Sequence, residues 1–375
     1  MSKIQMVDLQ TQYERVRDEI NRGIQEVIDD TAFINGPQVK LFAKELADYT
    51  GASHVVTCGN GTDALQIAMM ALGFKPGEEV IVPAFTYVAT VEVIVLLGLK
   101  PLFIDVTHDT YEMDITQLPN IITPKTVGIV PVHLYGQCSN MEEILKFAKK
   151  NGLKVIEDTA QAIGATYTFD NGTKAQAGTM GDIGTTSFFP SKNLGCFGDG
   201  GAMFTQDEAL AEKIHMIANH GQKQKYYHES IGVNSRLDTL QAAILRVKLK
   251  HLDRYFQARN EVAEKYDQAF IHLSGLTVPK RSEKTTHAFH QYTVQIADGE
   301  RDSLKNYLNN KGVPSMVYYP VPLHLQKAYL NYGYAKGDFP VAENLCSKVL
   351  SLPIHTEMEP EDQDFIIETI KSFFK

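Results

Sequence analysis

Two patterns of apolar residues alternate from about residue 50 to residue 205. Short apolar runs, typical of buried strands, are HVVTCG, EEVIVP, KPLFIDV, TVGIVPVHLYG and KVIEDT. Between most of them lie segments whose apolar residues recur at helical spacing and which end at glycine: GTDALQIAMMALG, YVATVEVIVLLG and MEEILKFAKKNG. Strand and helix in alternation predict an α/β fold with a mostly parallel central sheet flanked by helices. Ligands of such sheets bind beyond the carboxyl ends of the strands.

The pattern changes after about residue 250. A long polar helical segment, LKHLDRYFQARNEVAEKYDQAF, leads to the run HAFHQYTVQI and then to RDSLKNYLNNKG and PEDQDFIIETIKSFF. These segments predict a smaller C-terminal α+β domain over residues 251–375, joined to a large domain over residues 1–250. A helix expected over residues 10–29 is counted with the large domain, although it could pack on the small one.

Composition and charge exclude several classes of protein. Hydrophobic residues make up 43% and charged residues 22% of the 375 positions, which is ordinary for a soluble globular protein. The net charge of −9 argues against non-specific binding to nucleic acid or to an anionic membrane surface, because both require excess basic charge. The sequence shows neither the apolar core of a signal peptide nor a run long enough to span a membrane, so we expect a cytoplasmic protein.

The cysteines indicate packing rather than cross-linking or metal binding. Cys58, Cys138, Cys196 and Cys346 are widely scattered and form no CxxC pair. Neither a disulfide framework nor a zinc site is therefore predicted.

One lysine stands in an unusual place. Lys192 lies in the stretch SFFPSKNLGCFGDGGAMFT, in a glycine-rich turn between two runs that resemble buried strands. A charged amine is rarely buried without a partner, so its position suggests a hidden carboxylate or an amine kept neutral for chemistry. A lone lysine in a hairpin turn is more often exposed to solvent, and other residues must decide between these interpretations.

Three further features complete a possible site. Asp158 ends the strand KVIEDT, Gln161 follows it, and GNGTDAL places Gly61 and Thr62 where a strand turns into a helix. The N-terminus of a helix offers free N–H groups to a phosphate. Taken singly, Thr62 is more often a helix N-cap and Asp158 a capping carboxylate. A phosphate cradle, a strand-end aspartate and a lysine in a kinked loop are together the parts that pyridoxal phosphate requires.

The sequence resembles the DegT/DnrJ/EryC1/StrS family of sugar aminotransferases, which has the fold of aspartate aminotransferase (fold type I). Seven ordered segments carry the resemblance: GNGTDALQIA, VIVPAFTYVATVEVI, PVHLYGQ, VIEDTAQAIGATY, GDIGTTSFFPSKNLGCFGDGGAMFT, GVNSRLDTLQAAIL and YYPVPLHLQ. Within the family, NGTDALQIA and HGQ…GVNSRLDTLQAAIL are most similar to enzymes that aminate C3 of a UDP-linked 3-keto-hexuronic acid.

The resemblance implies roles for the residues around the cofactor ring. Lys192 would bind pyridoxal 5′-phosphate through its amine and carry the proton during transfer, with pyridoxamine phosphate holding the amino group in between. Asp158 would pair with the ring nitrogen, and Gln161 would bond near the ring hydroxyl. Tyr87 of PAFTY would cover one ring face, although either Tyr87 or Phe85 could be a core residue.

The resemblance also implies a phosphate site and a shared active site. Gly61, Thr62 and Ser187 would hold the phosphate, and Asn234 of GVNSR would reach it from a neighbouring subunit. That last role requires a homodimer.

The expected reaction moves an amino group from L-glutamate to C3 of UDP-2-acetamido-2-deoxy-3-oxo-hexuronate, for amino sugars of a surface polysaccharide such as a lipopolysaccharide O-antigen. One alternative acceptor is a dTDP-3-keto-6-deoxyhexose aminated at C3, or a 4-keto sugar aminated at C4. An alternative of another class is a non-catalytic relative that binds a nucleotide sugar or regulates. The presence of Lys192 favours catalysis. A nicotinamide-dependent oxidoreductase ranks low because GCFGDGG does not spell GxGxxG between a strand and a helix.

Substrate contacts are expected from two regions. Arg236 and Tyr319 are candidates to bind the sugar or the carboxylate of the donor. The loop NHGQKQKYYHES is either a solvated polar loop or a diphosphate site, and its basic residues are His220, Lys223, Lys225 and His228. His133 of PVHLYGQ is interpreted as structural rather than catalytic.

Overall fold

The computed structural model describes residues 4–375. The helices are α1 (Leu9–Asp30), α2 (Pro37–Thr50), α3 (Gly61–Leu72), α4 (Ala89–Leu96), α5 (Leu118–Ile121), α6 (Met141–Asn151), α7 (Glu208–Ala218), α8 (Thr239–Leu249), α9 (Leu252–Phe270), α10 (Arg301–Asn310), α11 (Pro340–Lys348) and α12 (Pro360–Phe373). The strands are β1 (His54–Cys58), β2 (Glu79–Pro83), β3 (Lys100–Ile104), β4 (Thr126–Ile129), β5 (Lys154–Asp158), β6 (Thr166–Thr168), β7 (Lys174–Gln176), β8 (Ile183–Ser187), β9 (Gly201–Thr205), β10 (Gln222–Gln224), β11 (Tyr227–His228), β12 (Leu276–Thr277), β13 (Tyr292–Ile296) and β14 (Val349–Leu352).

A seven-stranded sheet forms the centre of the large unit, in the order β1-β9-β8-β5-β4-β2-β3. β9 runs antiparallel to both of its neighbours, and the remaining pairs are parallel. β8 and β9 are joined by residues 188–200 without a helix, and the chain returns antiparallel beside β8. The predicted mostly parallel sheet is confirmed.

Helices cover both faces of this sheet because its strands are apolar on both sides. Val80 and Val82 of β2 pack into a core with α3, α4 and α7, whereas Ile81 between them packs into a second core with α6. α6 begins at Met141 and is capped by Asn140, whose side chain accepts a hydrogen bond from the Glu143 N–H. α6 thus begins at a polar cap, as such helices commonly do.

The smaller C-terminal unit has its own core. β12, β13 and β14 form an antiparallel sheet, against which α9, α10 and α12 pack through residues such as Tyr266, Leu304 and Ile366. The long polar helix predicted from LKHLDRYFQARNEVAEKYDQAF is α9, which begins at Leu252; the first residue of the predicted segment, Leu249, belongs to the end of α8. The smaller α+β unit is confirmed, and its predicted boundary at residue 250 stays a prediction.

The N-terminal helix α1 contacts both units. Val16 and Ile20 pack against Ile244 and Val247 of α8. On the side of the smaller unit, Arg15 forms an ion pair with Glu357. Helix α1 therefore bridges the two units.

Across residues 4–375, we find no helix that is both long and apolar enough to cross a membrane. The same residues contain no cluster of three or more His, Cys, Asp or Glu side chains arranged to hold a metal ion. All four cysteines are buried and unpaired.

Candidate active site

A cavity of about 460 Å³ opens beyond the carboxyl ends of the parallel strands. Its walls come from segments spread between residues 60 and 319. It brings together most of the residues that the sequence singled out, namely Gly61, Thr62, Tyr87, Asp158, Gln161, Ser187, Lys192 and Tyr319.

The remaining predicted residues lie outside the cavity of this chain. Asn234 is exposed and Arg236 is half-buried, just before α8. The basic side chains of the loop are exposed in and around the hairpin formed by β10 and β11, and they are His220, Lys223, Lys225 and His228.

One end of the cavity is built to receive an anion. Helix α3 begins at Gly61, and the residue that caps it is Asn60, whose Oδ1 accepts a hydrogen bond from the Asp63 N–H at 2.8 Å. Thr62 is therefore not the N-cap, and the interpretation of Thr62 as a cap is wrong. A Cβ added at Gly61 would lie 2.7 Å from the Ser187 Cβ, so only glycine lets the end of β8 approach the helix this closely. The free N–H groups of the first turn and the Ser187 hydroxyl thus meet at one point.

Asp158 supplies a carboxylate to the cavity from the end of β5. Its Oδ2 accepts a hydrogen bond from the Thr90 hydroxyl at 2.8 Å, and its Oδ1 accepts one from the Ala160 N–H at 3.2 Å. The group is buried, so the two bonds fix its orientation and offset part of its lost hydration. A protonated ring nitrogen would be a charge-complementary partner for it.

The neighbouring residue Glu157 anchors the strand on the opposite face. Its carboxylate accepts hydrogen bonds from three backbone N–H groups, those of Gly178, Met180 and Gly181. His133 Nδ1 accepts a hydrogen bond from the Ser139 N–H at 3.1 Å, so Nε2 carries the hydrogen and donates it to Glu157 Oε2 at 3.0 Å. Both nitrogens of His133 are therefore occupied, and this geometry supports a structural role.

Lys192 faces the cavity from a tight turn after β8. In this turn, the Lys192 N–H donates a hydrogen bond to the Phe189 carbonyl at 2.8 Å. Within residues 4–375 its amine makes no hydrogen bond or ion pair. Burial lowers the pKa of Lys192 to about 8, and the Asp158 carboxylate opposes this shift. A substantial share of the amine is therefore neutral near physiological pH, as a nucleophile or a general base requires.

Helix α8 holds the loop that carries Lys192. The buried ammonium of Lys248 donates to the Gly195 carbonyl at 2.7 Å. The Gln241 side chain accepts a hydrogen bond from the Phe197 N–H at 2.8 Å. The loop is thereby fixed on a rigid element although it has no regular structure.

The ring-binding region combines an amide with aromatic side chains. Gln161 Oε1 accepts a hydrogen bond from the Tyr135 N–H at 2.6 Å, and Gln161 Nε2 donates one to the Tyr319 hydroxyl at 3.2 Å. Tyr319 lies between Phe85 and Tyr87, with ring centroids 6.2 and 6.1 Å away. Phe85 is only 1% exposed and belongs to the core, whereas Tyr87 is 55% exposed at the cavity.

Sequence reasoning missed His290, Thr90 and Asn60. Asn60 precedes a helix and could have been recognised as a capping residue. Thr90 lies within α4 and contacts Asp158, and His290 lies in an irregular segment before β13 and lines the cavity. No local pattern marks either contact. Their positions depend on how distant segments pack.

The described residues fit pyridoxal phosphate. A helix N-terminus with Ser187 suits the phosphate, the Asp158 carboxylate suits the ring nitrogen, and the unpartnered amine of Lys192 suits the aldehyde. The aromatic rings of Tyr87 and Tyr319 suit the faces of a planar heterocycle.

Three curated relatives resemble nearly the whole chain. A "pleiotropic regulatory protein" of Geobacillus stearothermophilus is 45% identical over 374 residues, 99% of each chain. The UDP-2-acetamido-2-deoxy-3-oxo-D-glucuronate aminotransferase of Pseudomonas aeruginosa is 44% identical over 95% of this chain and 96% of that protein. The UDP-N-acetyl-3-dehydro-alpha-D-glucosamine 3-aminotransferase of Acidithiobacillus ferrooxidans is 45% identical over 96% of this chain and 94% of that protein. Transaminases of dTDP-linked amino sugars are also among the relatives, at 38% and 39% identity.

Two solved structures superpose on the whole of this chain. DesV of Streptomyces venezuelae superposes with a TM-score of 0.96 at 38% identity, covering 100% of this chain and 99% of DesV. The ntda protein of Bacillus subtilis, solved with the cofactor PMP bound, superposes with a TM-score of 0.91 at 32% identity, covering 100% of this chain and 86% of that protein. The match to a family of known proteins extends over residues 14–371, and the chain belongs to the DegT/DnrJ/EryC1/StrS aminotransferase family.

Proposed function

We propose that this aminotransferase moves an amino group from L-glutamate to C3 of UDP-2-acetamido-2-deoxy-3-oxo-hexuronate. Its cofactor is pyridoxal 5′-phosphate. The observation that carries the reaction class is the single cavity in which the α3 N-terminus, Asp158 and Lys192 meet. The UDP-linked 3-oxo sugars named for two of the relatives support the acceptor, and the product would enter a surface polysaccharide such as an O-antigen.

The cofactor, when bound, supplies an electron sink for the carbanion that forms at the donor Cα. The N-terminus of α3 and Ser187 would bind its phosphate, and Asp158 would keep its ring nitrogen protonated. The Lys192 Nζ accepts the proton from the donor Cα and later returns a proton to the sugar carbon. Tyr87 and Tyr319 line the cavity and would cover the ring on one side.

The reaction is tested with purified holoenzyme, L-glutamate and a panel of UDP- and dTDP-linked keto-sugars. We expect the UDP-linked 3-keto-hexuronate to be the best acceptor and Lys192→Ala to abolish transfer. Borohydride reduction followed by peptide mapping should place the cofactor on the Lys192 peptide. An adduct on another lysine would overturn the role of Lys192. A better rate with a dTDP-3-keto-6-deoxyhexose would overturn the acceptor and leave the aminotransferase activity standing.

A regulatory role in place of catalysis is the second candidate, and it rests on one observation, the name of the Geobacillus stearothermophilus relative. The same purified protein distinguishes the two. Transfer at ordinary rates supports the enzyme alone. Tight binding of a keto-sugar without transfer, despite an intact Lys192, would support a regulator.

We further propose a homodimer with shared active sites, located in the cytoplasm. Large apolar side chains are exposed at the cavity and on the neighbouring loop, as expected of a surface that a second copy covers, and they are Tyr87, Phe189 and Phe197. Asn234 is exposed and outside its own cavity, so it is free to reach the phosphate site of a partner subunit. The four unpaired cysteines support a reducing compartment.

Complementation tests this assembly. A mixed dimer of Lys192→Ala and Asn234→Ala subunits contains one site with both residues intact. Random reassortment should therefore restore about a quarter of the wild-type activity. Mixtures that stay inactive after verified subunit exchange, or a fully active monomer, would contradict the shared site.

Arg236 is our candidate for binding the C6 carboxylate of the acceptor from the partner subunit, because its guanidinium can bind a carboxylate with two hydrogen bonds. Arg236→Lys should slow transfer to the uronate by about 10-fold or more, as expected for one lost charge-assisted bond. Transfer to UDP-N-acetyl-3-dehydro-glucosamine, which lacks that carboxylate, serves as the control. Equal losses with both acceptors, or a loss confined to the glutamate half-reaction, would remove Arg236 from this role.

A further inference from the structure

Tyr135 holds two parts of the cavity wall at once. Its backbone N–H donates to Gln161 Oε1 at 2.6 Å, and its hydroxyl donates to the Tyr318 carbonyl. Gln161 follows β5, whereas Tyr318 lies in the segment between α10 and α11. Tyr135 is itself only 2% exposed and lines the cavity. It therefore joins wall segments that lie far apart along the chain.

The backbone at Tyr135 adopts a conformation that tyrosine rarely takes. Its φ angle is 58°, in the left-handed region that is unfavourable for a residue with a Cβ. The Tyr135 carbonyl accepts a hydrogen bond from the Gln291 N–H at 3.3 Å, and the Gly136 carbonyl accepts one from the Ala288 N–H at 2.8 Å. These bonds fix the turn against the segment before β13. Strained residues cluster at functional sites, so the strain points to a task for Tyr135 beyond packing.

The contact with the Tyr135 N–H fixes the orientation of the Gln161 amide. Only the amide oxygen can accept from an N–H, so Gln161 Nε2 is directed to the Tyr319 hydroxyl, 3.2 Å away. Because Nε2 is a donor, the Tyr319 oxygen accepts. Within residues 4–375 the Tyr319 hydroxyl has no acceptor for its own hydrogen. That hydrogen is left for a ligand in the cavity, which Tyr319 lines.

We propose that Tyr135 is a positioning residue for Tyr319, and that it directs the free O–H of Tyr319 toward an oxygen of the bound acceptor sugar. Tyr135 acts through the Gln161 amide on one side and through the Tyr318 backbone on the other. A donor that is already held in place loses little freedom when the substrate binds. The inference rests on the proposed function, because it takes the keto-sugar as the ligand that Tyr319 contacts.

A double-mutant cycle tests the coupling. Tyr135→Phe deletes one oxygen and keeps both the ring and the N–H that binds Gln161. With holoenzyme, L-glutamate and the best acceptor of the panel, Tyr135→Phe should lower kcat/KM about 10-fold in the wild-type background. The same change should cost less than about 2-fold in a Tyr319→Phe background, because the group that Tyr135 positions is already absent. Equal losses in both backgrounds, or an unchanged kcat/KM in either single variant, would overturn the inference.

A second readout requires neither cofactor nor activity. Fluorotyrosine incorporated at position 319 reports the surroundings and mobility of that ring by fluorine NMR. We expect one narrow resonance in the cofactor-free wild type. In Tyr135→Phe the resonance should broaden or shift, because the adjoining backbone of Tyr318 has lost its hydrogen bond. Identical spectra would show that the Tyr135 hydroxyl does not hold Tyr319, and would overturn the inference.

Tyr266→Phe is the matched control. Tyr266 is also fully buried and its hydroxyl donates to a backbone carbonyl, that of Pro353 at 3.0 Å, but it lies in the core of the smaller unit and outside the cavity. This variant should lose stability, keep kcat/KM within about 2-fold and leave the fluorine spectrum unchanged. Equal losses of kcat/KM in Tyr266→Phe and Tyr135→Phe would overturn the positioning role. Failure of the wild type to transfer to any acceptor overturns the proposed function instead, and the fluorine spectra still decide whether Tyr135 holds Tyr319.

Discussion

Replacement of Glu157 by glutamine keeps the shape of the side chain, yet we expect it to lower the free energy of unfolding strongly. Glu157 is fully buried, and each of its oxygens accepts two hydrogen bonds. The distances are 2.6 Å from the N–H groups of Met180 and Gly181 to Oε1, and 2.9 and 3.0 Å from Gly178 and His133 to Oε2. An amide keeps one oxygen and turns the other into a donor. Whichever way the amide is oriented, two buried donors lose their acceptor.

The magnitude follows from these bonds. A hydrogen bond to a charged group contributes about 1.5–3 kcal/mol net, and buried donors left without an acceptor add to the loss. We therefore expect Glu157→Gln to lower the free energy of unfolding by about 3–5 kcal/mol, a large fraction of the total for an ordinary protein. Activity should fall as well, because the same strand end carries Asp158.

Urea unfolding at pH 7, at one fixed protein concentration, measures the change. Glu142→Gln is the control, since Glu142 is partly exposed and bonds to Lys284 at 2.9 Å, an interaction worth about 1 kcal/mol or less. If the two variants differ by less than about 1 kcal/mol, the network around Glu157 does not anchor the strand and the reasoning fails.

Three further outcomes are expected. Gly61→Ala places a Cβ 2.7 Å from the Ser187 Cβ, so cofactor titration should show about 10-fold weaker binding, and the free energy of unfolding should fall by about 1–3 kcal/mol. An unchanged cofactor affinity would contradict the phosphate site. Thr90→Val removes the 2.8 Å hydrogen bond to Asp158 and should lower kcat about 10-fold with the fold intact by circular dichroism; full activity would show that the bond is dispensable. In the cofactor-free wild type, the Lys192 amine is protonated and unreactive below its pKa of about 8, so its acetylation rate should rise through pH 8; a midpoint near 10.5 would refute the effect of burial.

Local patterns were enough to predict the sheet and to single out Asp158 and Lys192 as candidates. The strands from β1 to β5 are short apolar runs, and Asp158 and Lys192 stand at a strand end and a glycine-rich turn that the sequence displays directly. The direction of β9 was not predicted, because an apolar run such as GGAMFT does not say which way the chain runs.

What the sequence does not display are contacts between distant segments. Thr90 reaches Asp158 across 68 positions of the chain, and His290 enters the cavity from beyond α9. Neither is marked by spacing or composition. The proposed roles of Asn234 and Arg236 require a second subunit, and the pattern of a single chain carries no information on how two subunits pack.

The wide spread of the cavity wall along the chain bears on how the protein folds. Asn60 and Tyr319 line one cavity although about two thirds of the chain lies between them, and closing so long a loop is slow compared with forming local helices. The ability to take up cofactor should therefore appear late in refolding, after most secondary structure has returned. The chain has no tryptophan and 17 tyrosines, so the absorbance of the bound cofactor would report this late step separately from the tyrosine fluorescence of the forming core.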